Sequence, residues 1–440
     1  MPRKEILVLG SGMVARPCVD YLLRRDDNYI TVACRTLAAA QKLVSGAPQH
    51  LVRAISLDVS SPEAESVIAQ HDVVVSLVPF VYHAGIARMA IRNATQVVTT
   101  SYVSPAIREL DGSAKDAGIT VLNEVGVDPG VDHCYAMKVI SEVHQKGGKI
   151  RESSDNPLRF KFSWSPRGAL LSQNNAAIFL KDGKVTEIPK DQVMASAAPY
   201  HVVDGYSFLA YPNRNSVPFR ELYHIPEAQT VIRGSLRYDG NPQLVKALID
   251  LGWINADAKD WLLPGMTWAE IQTKLTAAAS KSEADLVAKV KELCSFGDQN
   301  QDVEKKVIAG LRWIGLFSDE QQAPFKGTLL DTLSAHLEEV CKFGPDERDL
   351  VMLQHKFVVD WPNGNTDTIT STMELFGEPG GYSGMSKSVG ITCGVATQLL
   401  LDGHPAVKKP GIVAPYSLDI CEALREQIEP LGIQLVEKTL

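Results

Sequence analysis

The 440-residue sequence lacks several features that would assign it to a whole class of proteins. No apolar run reaches the ~18–20 residues that span a bilayer. The N-terminus has no signal-peptide pattern, because a strand-like run starts almost at once. Basic residues are not in excess, and the net charge is −8. Since nucleic acids and anionic membranes attract cations, we expect neither as a partner.

Cysteine is scarce, and no Cys-x-x-Cys pair occurs. The seven cysteines are scattered, and their odd number and spacing fit neither a disulfide framework nor a zinc site. We therefore expect reduced thiols, no metal and a cytoplasmic location. The hydrophobic fraction of 45% and the charged fraction of 22% are ordinary for a globular protein. The length predicts two or three domains.

What the sequence does contain is a glycine turn at its beginning. The apolar run Ile6–Leu9 leads into Gly10-Ser11-Gly12-Met13-Val14-Ala15, and apolar residues then recur at helical spacing. In Gly-x-Gly-x-x-Ala the first glycine permits a tight turn and the second lets backbone N–H groups approach a pyrophosphate. The helix N-terminus adds partial positive charge. This pattern predicts a dinucleotide site; the alternative is a tight turn without a ligand.

Strand-like and helical stretches alternate after this turn. Such alternation is typical of a parallel, doubly wound sheet of the Rossmann type, whose ligand lies over the carboxyl ends of the strands. The predicted strands are Ile30–Cys34, Ala54–Leu57, Asp72–Leu77, Gln96–Thr99 and Ile119–Leu122, and the predicted helices are Leu37–Val44, Pro62–Gln70, His83–Arg92 and Ser104–Ala117.

The end of the second strand indicates which dinucleotide binds. An NAD site usually has an acidic residue there for the ribose 2′-hydroxyl, but this strand ends in Ala33-Cys34-Arg35-Thr36. Arg35 can face a 2′-phosphate, with Thr36 as a second donor, so NADP is the predicted cofactor. A solvated surface arginine is the alternative. Asp58 can accept from the adenine amino group or, equally, cap the next helix.

The pattern changes after Gly130. Period-two alternation predicts a mostly antiparallel sheet, residues 241–344 are helical in pattern, and Asn363-Gly364 is a strong hairpin signal. The predicted elements are strands in Arg159–Trp164, Phe208–Tyr211, Thr230–Leu236, Leu350–Trp361, Thr366–Leu375 and Ile433–Val436, and a helix at Val389–Leu401.

Four parts follow from this change of pattern. We expect a nucleotide-binding α/β domain at residues 1–130 and an α+β domain for substrate binding and dimerisation at 131–240 and 345–400. An all-α insert at 241–344 interrupts the second domain. The C-terminal segment, 401–440, can return to the nucleotide-binding domain.

Polar segments follow three of the predicted parallel strands. These segments, Ser76–Pro79, Thr99–Tyr102 and Asn123–Gly130, should meet at one edge of the sheet, where hydroxyls and a carboxylate can assist proton transfer beside a nicotinamide. Asp128-Pro129-Gly130 can equally be a turn. No general acid or base is unambiguous, because His133 fits a helix-start residue with a structural partner as well as a catalytic one.

Long motifs along the whole chain resemble the family of saccharopine reductases, the NADP-dependent, glutamate-forming saccharopine dehydrogenases of fungal lysine biosynthesis. The resemblance implies reductive condensation of α-aminoadipate δ-semialdehyde with glutamate, using NADPH, to give saccharopine. The motifs are 9–12, 32–36, 98–105, 123–133, 153–158, 161–165, 211–214, 233–238, 348–357 and 380–383.

The resemblance also implies roles for individual residues. A tricarboxylate product needs cationic anchors, for which Arg214 and Arg237 are the candidates, although either can be a surface arginine. Asp128 and Tyr102 are the catalytic candidates, and a homodimer is expected. The implied substrate-binding residues are Ser101, Tyr102, Asp128, Arg214, Ser235, Leu236 and Arg237; the implied cofactor-binding residues are Gly10, Ser11, Gly12, Met13, Val14, Arg35, Thr36, Asp58, Leu77, Thr99, Thr100, Glu124, Val125 and Gly126.

The sequence departs from the family pattern after Ile150. A glycine- and proline-rich stretch with a cysteine is missing between Ile150 and Ser153, so that cysteine cannot be assigned. Two other functions stay open. One is reduction of another amino-acid or polyamine imine, as in carboxynorspermidine dehydrogenase, which Arg214 and Arg237 disfavour. The other is NADP binding without catalysis.

Overall fold

The computed structural model describes residues 3–145, 149–155, 165–203, 206–294, 296, 301–344 and 347–440. The chain forms two compact units. The first comprises Met1–Lys149, Asp360–Asn365 and Met373–Leu440, and the second comprises Ile150–Val359 and Thr366–Thr372. Residues 131–145, 360–365 and 373–400 therefore lie in the first unit, whereas the sequence pattern predicts them in the second domain.

The helices and strands follow one another along the chain. In the first part they are β1 (Lys4–Leu9), α1 (Ala15–Leu22), β2 (Asn28–Cys34), α2 (Leu37–Leu43), β3 (Val52–Ser56), α3 (Glu63–Ile68), β4 (Val73–Ser76), α4 (His83–Arg92), β5 (Gln96–Thr99), α5 (Pro105–Arg108), α6 (Asp111–Asp116), β6 (Thr120–Leu122) and α7 (Val131–Gln145). The middle holds β7 (Lys149–Asp155), α8 (Pro166–Gln173), β8 (Ala177–Lys181), β9 (Lys184–Ile188), β10 (Ala198–Tyr200), β11 (Phe208–Pro212), α9 (Phe219–Leu222), β12 (Thr230–Tyr238) and the helices α10 (Asn241–Asp250), α11 (Trp268–Thr276), α12 (Glu283–Leu293), α13 (Gln301–Ile314) and α14 (Leu329–Val340). The last elements are β13 (Leu350–Asp360), β14 (Thr366–Phe376), α15 (Gly384–Leu401), β15 (Gly411–Val413), α16 (Leu418–Ile428) and β16 (Val436–Thr439).

The first unit is built on a seven-stranded sheet in the order β15-β6-β5-β4-β1-β2-β3. All of its pairs are parallel. Ile6, Leu7 and Val8 of β1 are fully buried, because helices cover both faces of a parallel sheet. The strand order reverses between β1 and β4, and ligands bind at such a point. The predicted doubly wound fold is confirmed.

Several helices of this unit form as the sequence predicts. In α1 the buried residues Ala15, Cys18, Val19 and Leu22 recur at helical spacing, as the sequence predicts. The predicted helix Ser104–Ala117 is wrong as a single helix, because it divides into α5 and α6. Gly112 lies just after the division, and glycine weakens a helix interior. The predicted last strand is also misplaced: β16 starts at Val436.

The second unit contains a mainly antiparallel sheet. Its strands run β10-β11-β12-β7-β13-β14, and β8 pairs with both β12 and β9. β12 is antiparallel to β11 but parallel to β7. The strands predicted at Phe208–Tyr211 and Thr230–Leu236 are confirmed, as are both arms of the hairpin around Asn363-Gly364. The strand predicted at Arg159–Trp164 lies outside the described residues.

The helical insert is confirmed by α10 to α14. Two tryptophans, Trp253 and Trp268, are fully buried at its centre with ring centroids 5.5 Å apart. The Trp253 Nε1–H donates to Gln272 Oε1 at 2.6 Å, so its buried polar atom has a partner. Within the described ranges, no helix is both long and apolar enough to cross a membrane.

Candidate active site

The glycine turn between β1 and α1 lies beside the reversal point of the parallel sheet. Gly10 has a φ of +110°, and its N–H donates to the Ala33 carbonyl oxygen at 2.9 Å. A Cβ at Gly10 would lie 2.7 Å from the Leu77 carbonyl oxygen. Only glycine therefore allows β1 to pass so close to the end of β4.

Gly12 is open where Gly10 is crowded. A Cβ at Gly12 would meet no atom within 4 Å, and Gly12 lacks a positive φ. Met13 is 52% exposed, and Ser11 and Val14 are half-exposed around the same turn. Backbone N–H groups at the start of α1 thus border open space, where a pyrophosphate has room to approach.

Helix α15 packs closely against α1. A Cβ at Gly390 would lie 2.4 Å from the Val14 carbonyl oxygen, and one at Gly394 would lie 3.1 Å from the Tyr21 side chain. On α1 itself, Arg16 Nε donates to both carboxylate oxygens of Asp20 at 2.8 Å. The small residues of α15 thus permit a close backbone contact that fixes the glycine turn.

The end of β2 carries the predicted 2′-phosphate contacts. Arg35 and Thr36 are exposed, while their backbone is anchored: the Arg35 carbonyl oxygen accepts from Ser56 Oγ at 3.0 Å, and that of Thr36 accepts from Cys34 Sγ at 3.1 Å. Asp58 is exposed after β3, and its Oδ1 accepts from the Ser60 N–H at 2.8 Å. That bond makes Asp58 a turn residue and leaves its role towards adenine a prediction.

The residues present fit an NADP cofactor. An uncrowded glycine stands at the start of a helix, and an exposed guanidinium stands at the end of β2 in place of an acid. Leu77, which borders the reversal point, is half-exposed, and its N–H donates to the Leu9 carbonyl oxygen at 2.9 Å. No cluster of metal-ligating side chains occurs among the residues that the structure describes.

The polar segments after β4, β5 and β6 meet as predicted. Tyr102 Oη donates to Asp128 Oδ1 at 2.6 Å, which joins the two catalytic candidates. Thr99 is buried, and its Oγ1 accepts from the Ser101 N–H at 3.3 Å. Thr100 is half-exposed. The structure thus brings together a phenol, a carboxylate and hydroxyls at one sheet edge.

Glu124 lies beneath this edge rather than in open space. It is 1% exposed, with a φ of +60°. Its carboxylate accepts from the Val103 N–H and from His133 Nε2, both at 2.8 Å, and from the Tyr416 hydroxyl. Burial alone would raise the pKa of Glu124, but these donors hold the pKa below its ordinary value.

His133 has the structural partner that the sequence left open. It is fully buried between Glu124 and Asp132, whose Oδ2 lies 3.5 Å from His133 Nδ1. Val125 and Gly126 are buried beside it. A Cβ at Gly126 would lie 3.1 Å from the Pro129 carbonyl oxygen and 3.3 Å from Thr100 Cβ. Glycine there lets the segment after β6 approach the segment after β5.

Replacing Glu124 by Gln should expose the role of this buried network. We expect the free energy of unfolding to fall by about 2–4 kcal/mol at pH 7, because an amide cannot accept from all three donors. The wild-type carboxylate stabilises the fold above its ordinary pKa of 4.5 and loses that effect as the pH falls through its lower folded value. The difference in free energy of unfolding between wild type and variant should therefore shrink below about pH 4.5. Urea unfolding at a series of pH values measures this difference. A deficit independent of pH would contradict this.

The predicted anchors of the second unit lie on β11 and β12. Arg214 follows β11, is exposed and has a φ of +57°. Asn213 Nδ2 donates to Ser235 Oγ at 3.2 Å, so the end of β11 and the middle of β12 are linked by side chains. Ser235 is 6% exposed. Arg214 and Ser235 thus belong to one corner of the sheet.

Arg237 differs from Arg214 in its surroundings. It is 2% exposed, its Nη1 donates to the Leu236 carbonyl oxygen at 2.7 Å, and its guanidinium lies 6.0 Å from the centroid of the Tyr211 ring. Burial raises the pKa of Tyr211, so the phenol beside Arg237 is neutral at ordinary pH. The Leu236 side chain is fully buried. Arg214 is therefore the more accessible cation.

One group at the sheet edge was missed from the sequence. His83, the first residue of α4, is 4% exposed and lies between two serines. Its Nδ1 is 2.9 Å from Ser76 Oγ, and its Nε2 is 2.9 Å from Ser101 Oγ. No local signal distinguishes this histidine from any other helix-start residue, because its partners depend on the adjacency of β4 and β5.

Comparisons with known proteins cover the whole chain. Residues 6–122 match the family model described as "Saccharopine dehydrogenase NADP binding domain", and residues 126–433 match "Saccharopine dehydrogenase C-terminal domain". The chain is 46% identical to "Saccharopine dehydrogenase [NADP(+), L-glutamate-forming]" of Saccharomyces cerevisiae, over 99% of each chain. It is 47% identical to the protein of that name from Pyricularia oryzae, over 100% of each.

Solved structures agree with the sequence comparisons. The apo histidine-tagged saccharopine dehydrogenase (L-Glu forming) from Saccharomyces cerevisiae superimposes with a TM-score of 0.88 at 45% identity, covering 99% of this chain and 100% of that one. A homospermidine synthase from Legionella pneumophila, solved with NAD, has a TM-score of 0.57 at 9% identity, covering 99% and 91%. The second likeness concerns the fold alone.

Proposed function

The chain belongs to the saccharopine dehydrogenase family, and from this premise we propose that it catalyses the NADPH-dependent condensation of L-2-aminoadipate 6-semialdehyde with L-glutamate. The product is saccharopine, and the pathway is lysine biosynthesis. The observation that carries the proposal is the match along the full chain to three fungal enzymes of this activity. The glycine turn and Arg35 support the cofactor.

The reaction balances as condensation followed by reduction. The glutamate nitrogen bonds to the aldehyde carbon, and the aldehyde oxygen leaves as water. The imine carbon then receives a hydride and the nitrogen receives a proton, which gives a secondary amine. NADPH supplies the hydride when it is bound. The rest of catalysis is positioning and electrostatics, which the side chains provide.

The residues of the sheet edge divide this work. Asp128, held by the Tyr102 hydroxyl at 2.6 Å, accepts an N–H of the reacting amine and keeps its nitrogen in place. The Tyr102 hydroxyl can return a proton to a neighbouring oxygen or nitrogen. Ser101 at this edge is a candidate to hold a substrate carboxylate. In the second unit the candidates are Arg214, Ser235 and Arg237, and arginine forks are well suited to carboxylates. The backbones of Glu124, Val125 and Gly126 border the cofactor.

A direct absorbance assay tests the proposed function. Absorbance of the reduced nicotinamide is followed with semialdehyde and glutamate together, then with glutamate omitted, then with a diamine in its place. Oxidation of NADPH only in the complete mixture is expected. Oxidation with the diamine would favour a polyamine reductase. Cofactor binding without oxidation in any mixture would make the protein a non-catalytic NADP-binding protein.

An Arg35→Asp variant tests the choice of cofactor. An acid at the end of β2 can bond a ribose 2′-hydroxyl and repels a 2′-phosphate. We expect kcat/KM for NADPH to fall about 10- to 100-fold, as the loss of one charge-assisted contact implies, and kcat/KM for NADH to rise. An Arg88→Asp variant, with an exposed arginine on α4, is the matched control. Unchanged preference would show that Arg35 does not read the 2′-phosphate.

We propose a homodimer formed through the β13–β14 hairpin. The support is the family resemblance and the length of the hairpin, whose strands have 11 residues each. Analytical ultracentrifugation of the wild type should give twice the chain mass of 48.0 kDa. A single species of monomer mass at micromolar concentration would refute the homodimer.

We also propose a cytoplasmic location, with no nucleic-acid or membrane partner. No disulfide bond joins any of the seven cysteines, all of which lie among the described residues, and reduced thiols persist in a reducing compartment. The net charge of −8 gives no attraction to nucleic acid or to anionic lipid. Fractionation of the source cells, with thiol labelling of the protein in each fraction, tests the location.

A further inference from the structure

A hydrogen-bonded chain of three side chains crosses the sheet edge from β4 to β5. Ser76 ends β4 and is 1% exposed, His83 begins α4 and is 4% exposed, and Ser101 follows β5 and is half-exposed. The two nitrogen–oxygen distances are both 2.9 Å. These hydrogen bonds therefore lead from the buried Ser76 to Ser101, which is the most exposed of the three at the sheet edge.

The imidazole in this chain is neutral. Burial lowers the pKa of His83 to about 4. Its ring nitrogens are hydrogen-bonded to two neutral hydroxyls, and the Phe80 ring lies edge-on to it with a centroid distance of 6.2 Å. A neutral imidazole has one N–H donor and one lone-pair acceptor. It can therefore donate to one serine only while it accepts from the other.

A carboxylate ligand determines which atom donates in each of these hydrogen bonds. Carboxylate oxygens only accept, so the Ser101 hydrogen must point to the ligand. The lone pair of Ser101 Oγ is then available to the Nε2–H of His83. His83 Nδ1 must in turn accept from the Ser76 hydroxyl. Each hydrogen of the chain then has an acceptor, and no buried polar group is left without a partner.

We propose that His83 is a positioning residue that holds the Ser101 hydroxyl as a donor towards a carboxylate of the substrate. This inference rests on the proposed function, in which Ser101 contacts the amino-acid substrate. His83 touches neither substrate nor cofactor in this arrangement. It acts through Ser101, whose backbone is fixed independently: the Ser101 N–H donates to Thr99 Oγ1, and its carbonyl oxygen accepts from the Glu124 N–H at 3.2 Å.

A double-mutant cycle tests whether His83 acts through Ser101. The four proteins are the wild type, His83→Phe, Ser101→Ala and the double variant. Each single variant should raise KM for saccharopine about 10- to 100-fold, the size of one hydrogen bond to a charged group, and leave KM for NADP unchanged. The double variant should be no worse than Ser101→Ala. Multiplied effects in the double variant, or an equal rise in KM for NADP, would overturn the proposal.

A spectroscopic measurement covers the case in which His83→Phe does not fold. The ¹⁵N spectrum of histidine-labelled wild type reports which ring nitrogen carries hydrogen, and His83→Gln identifies the signals of His83. With saccharopine bound, Nε2 should be protonated and Nδ1 bare. Protonation at Nδ1 would overturn the proposal. A wild type that never oxidises NADPH with semialdehyde and glutamate ends the proposed function itself, whereas an active wild type with additive variants ends this inference alone.

Discussion

A Gly12→Val variant is expected to unfold at the same urea concentration as the wild type and to bind NADPH about 10- to 100-fold more weakly, as the loss of a charge-assisted contact implies. The physical reason is the position of Gly12. A Cβ there meets no protein atom within 4 Å, so a side chain fits in the free protein. It then occupies the space that a pyrophosphate needs beside the start of α1.

Gly10→Ala is the matched comparison, because the same turn should respond in the opposite way. Its φ of +110° is strained for alanine, and the new Cβ would lie 2.7 Å from the Leu77 carbonyl oxygen. We expect a loss of about 2–5 kcal/mol in the free energy of unfolding. Urea unfolding and fluorescence titration with NADPH, done on both variants, separate the two effects. Equal stability losses would show that Gly12 is structural as well.

The parallel sheet could be predicted because each of its strands is buried on both faces and is therefore a continuous apolar run in the sequence. β5 and α4 have the predicted bounds, Gln96–Thr99 and His83–Arg92. Continuous apolar runs and helical spacing are local properties, so they can be read without knowledge of the fold. The order of the strands is not local, but the glycine turn at β1 restricted it to the doubly wound type.

The errors occur where a local signal was overlooked or overridden. The hairpin of β8 and β9 has Asp182-Gly183 at its turn, with φ values of 49° and 75°, and Asp-Gly is a strong local hairpin signal. The predicted strand Ile433–Val436 failed because Ile433 instead follows a left-handed glycine, Gly432, and is fully buried.

The site residues were predictable by position and less so by partner. The ends of β4, β5 and β6 had to share an edge, and Tyr102 and Asp128 do meet there. The donors around Glu124 come from Val103, His133 and Tyr416, which are far apart in sequence. Only the folded chain shows that this carboxylate is enclosed, and the same holds for the serines beside His83.

The second prediction with a large effect concerns the exposed arginine of the second unit. In an Arg214→Asn variant, KM for glutamate or saccharopine should rise about 10- to 100-fold, because one charge-assisted pair with a carboxylate is worth roughly 1.5–3 kcal/mol. Asparagine tolerates the φ of +57° at this position, so the change removes the cation without adding backbone strain. Steady-state kinetics with each substrate varied in turn measure the effect.

Two controls decide whether Arg214 acts as an anchor. Arg220→Asn removes another arginine of the same unit, within α9 rather than at the end of β11, and should leave KM for the amino-acid substrates unchanged. Arg214→Lys keeps the charge but loses the fork, and it should recover only part of the affinity. NADPH affinity should be the same in all three variants, because the proposed cofactor contacts lie at Gly12 and Arg35. If Arg214→Asn weakened NADPH and saccharopine equally, the arginine would be stabilising the fold rather than holding a carboxylate, and the buried Arg237 would be left as the cationic candidate.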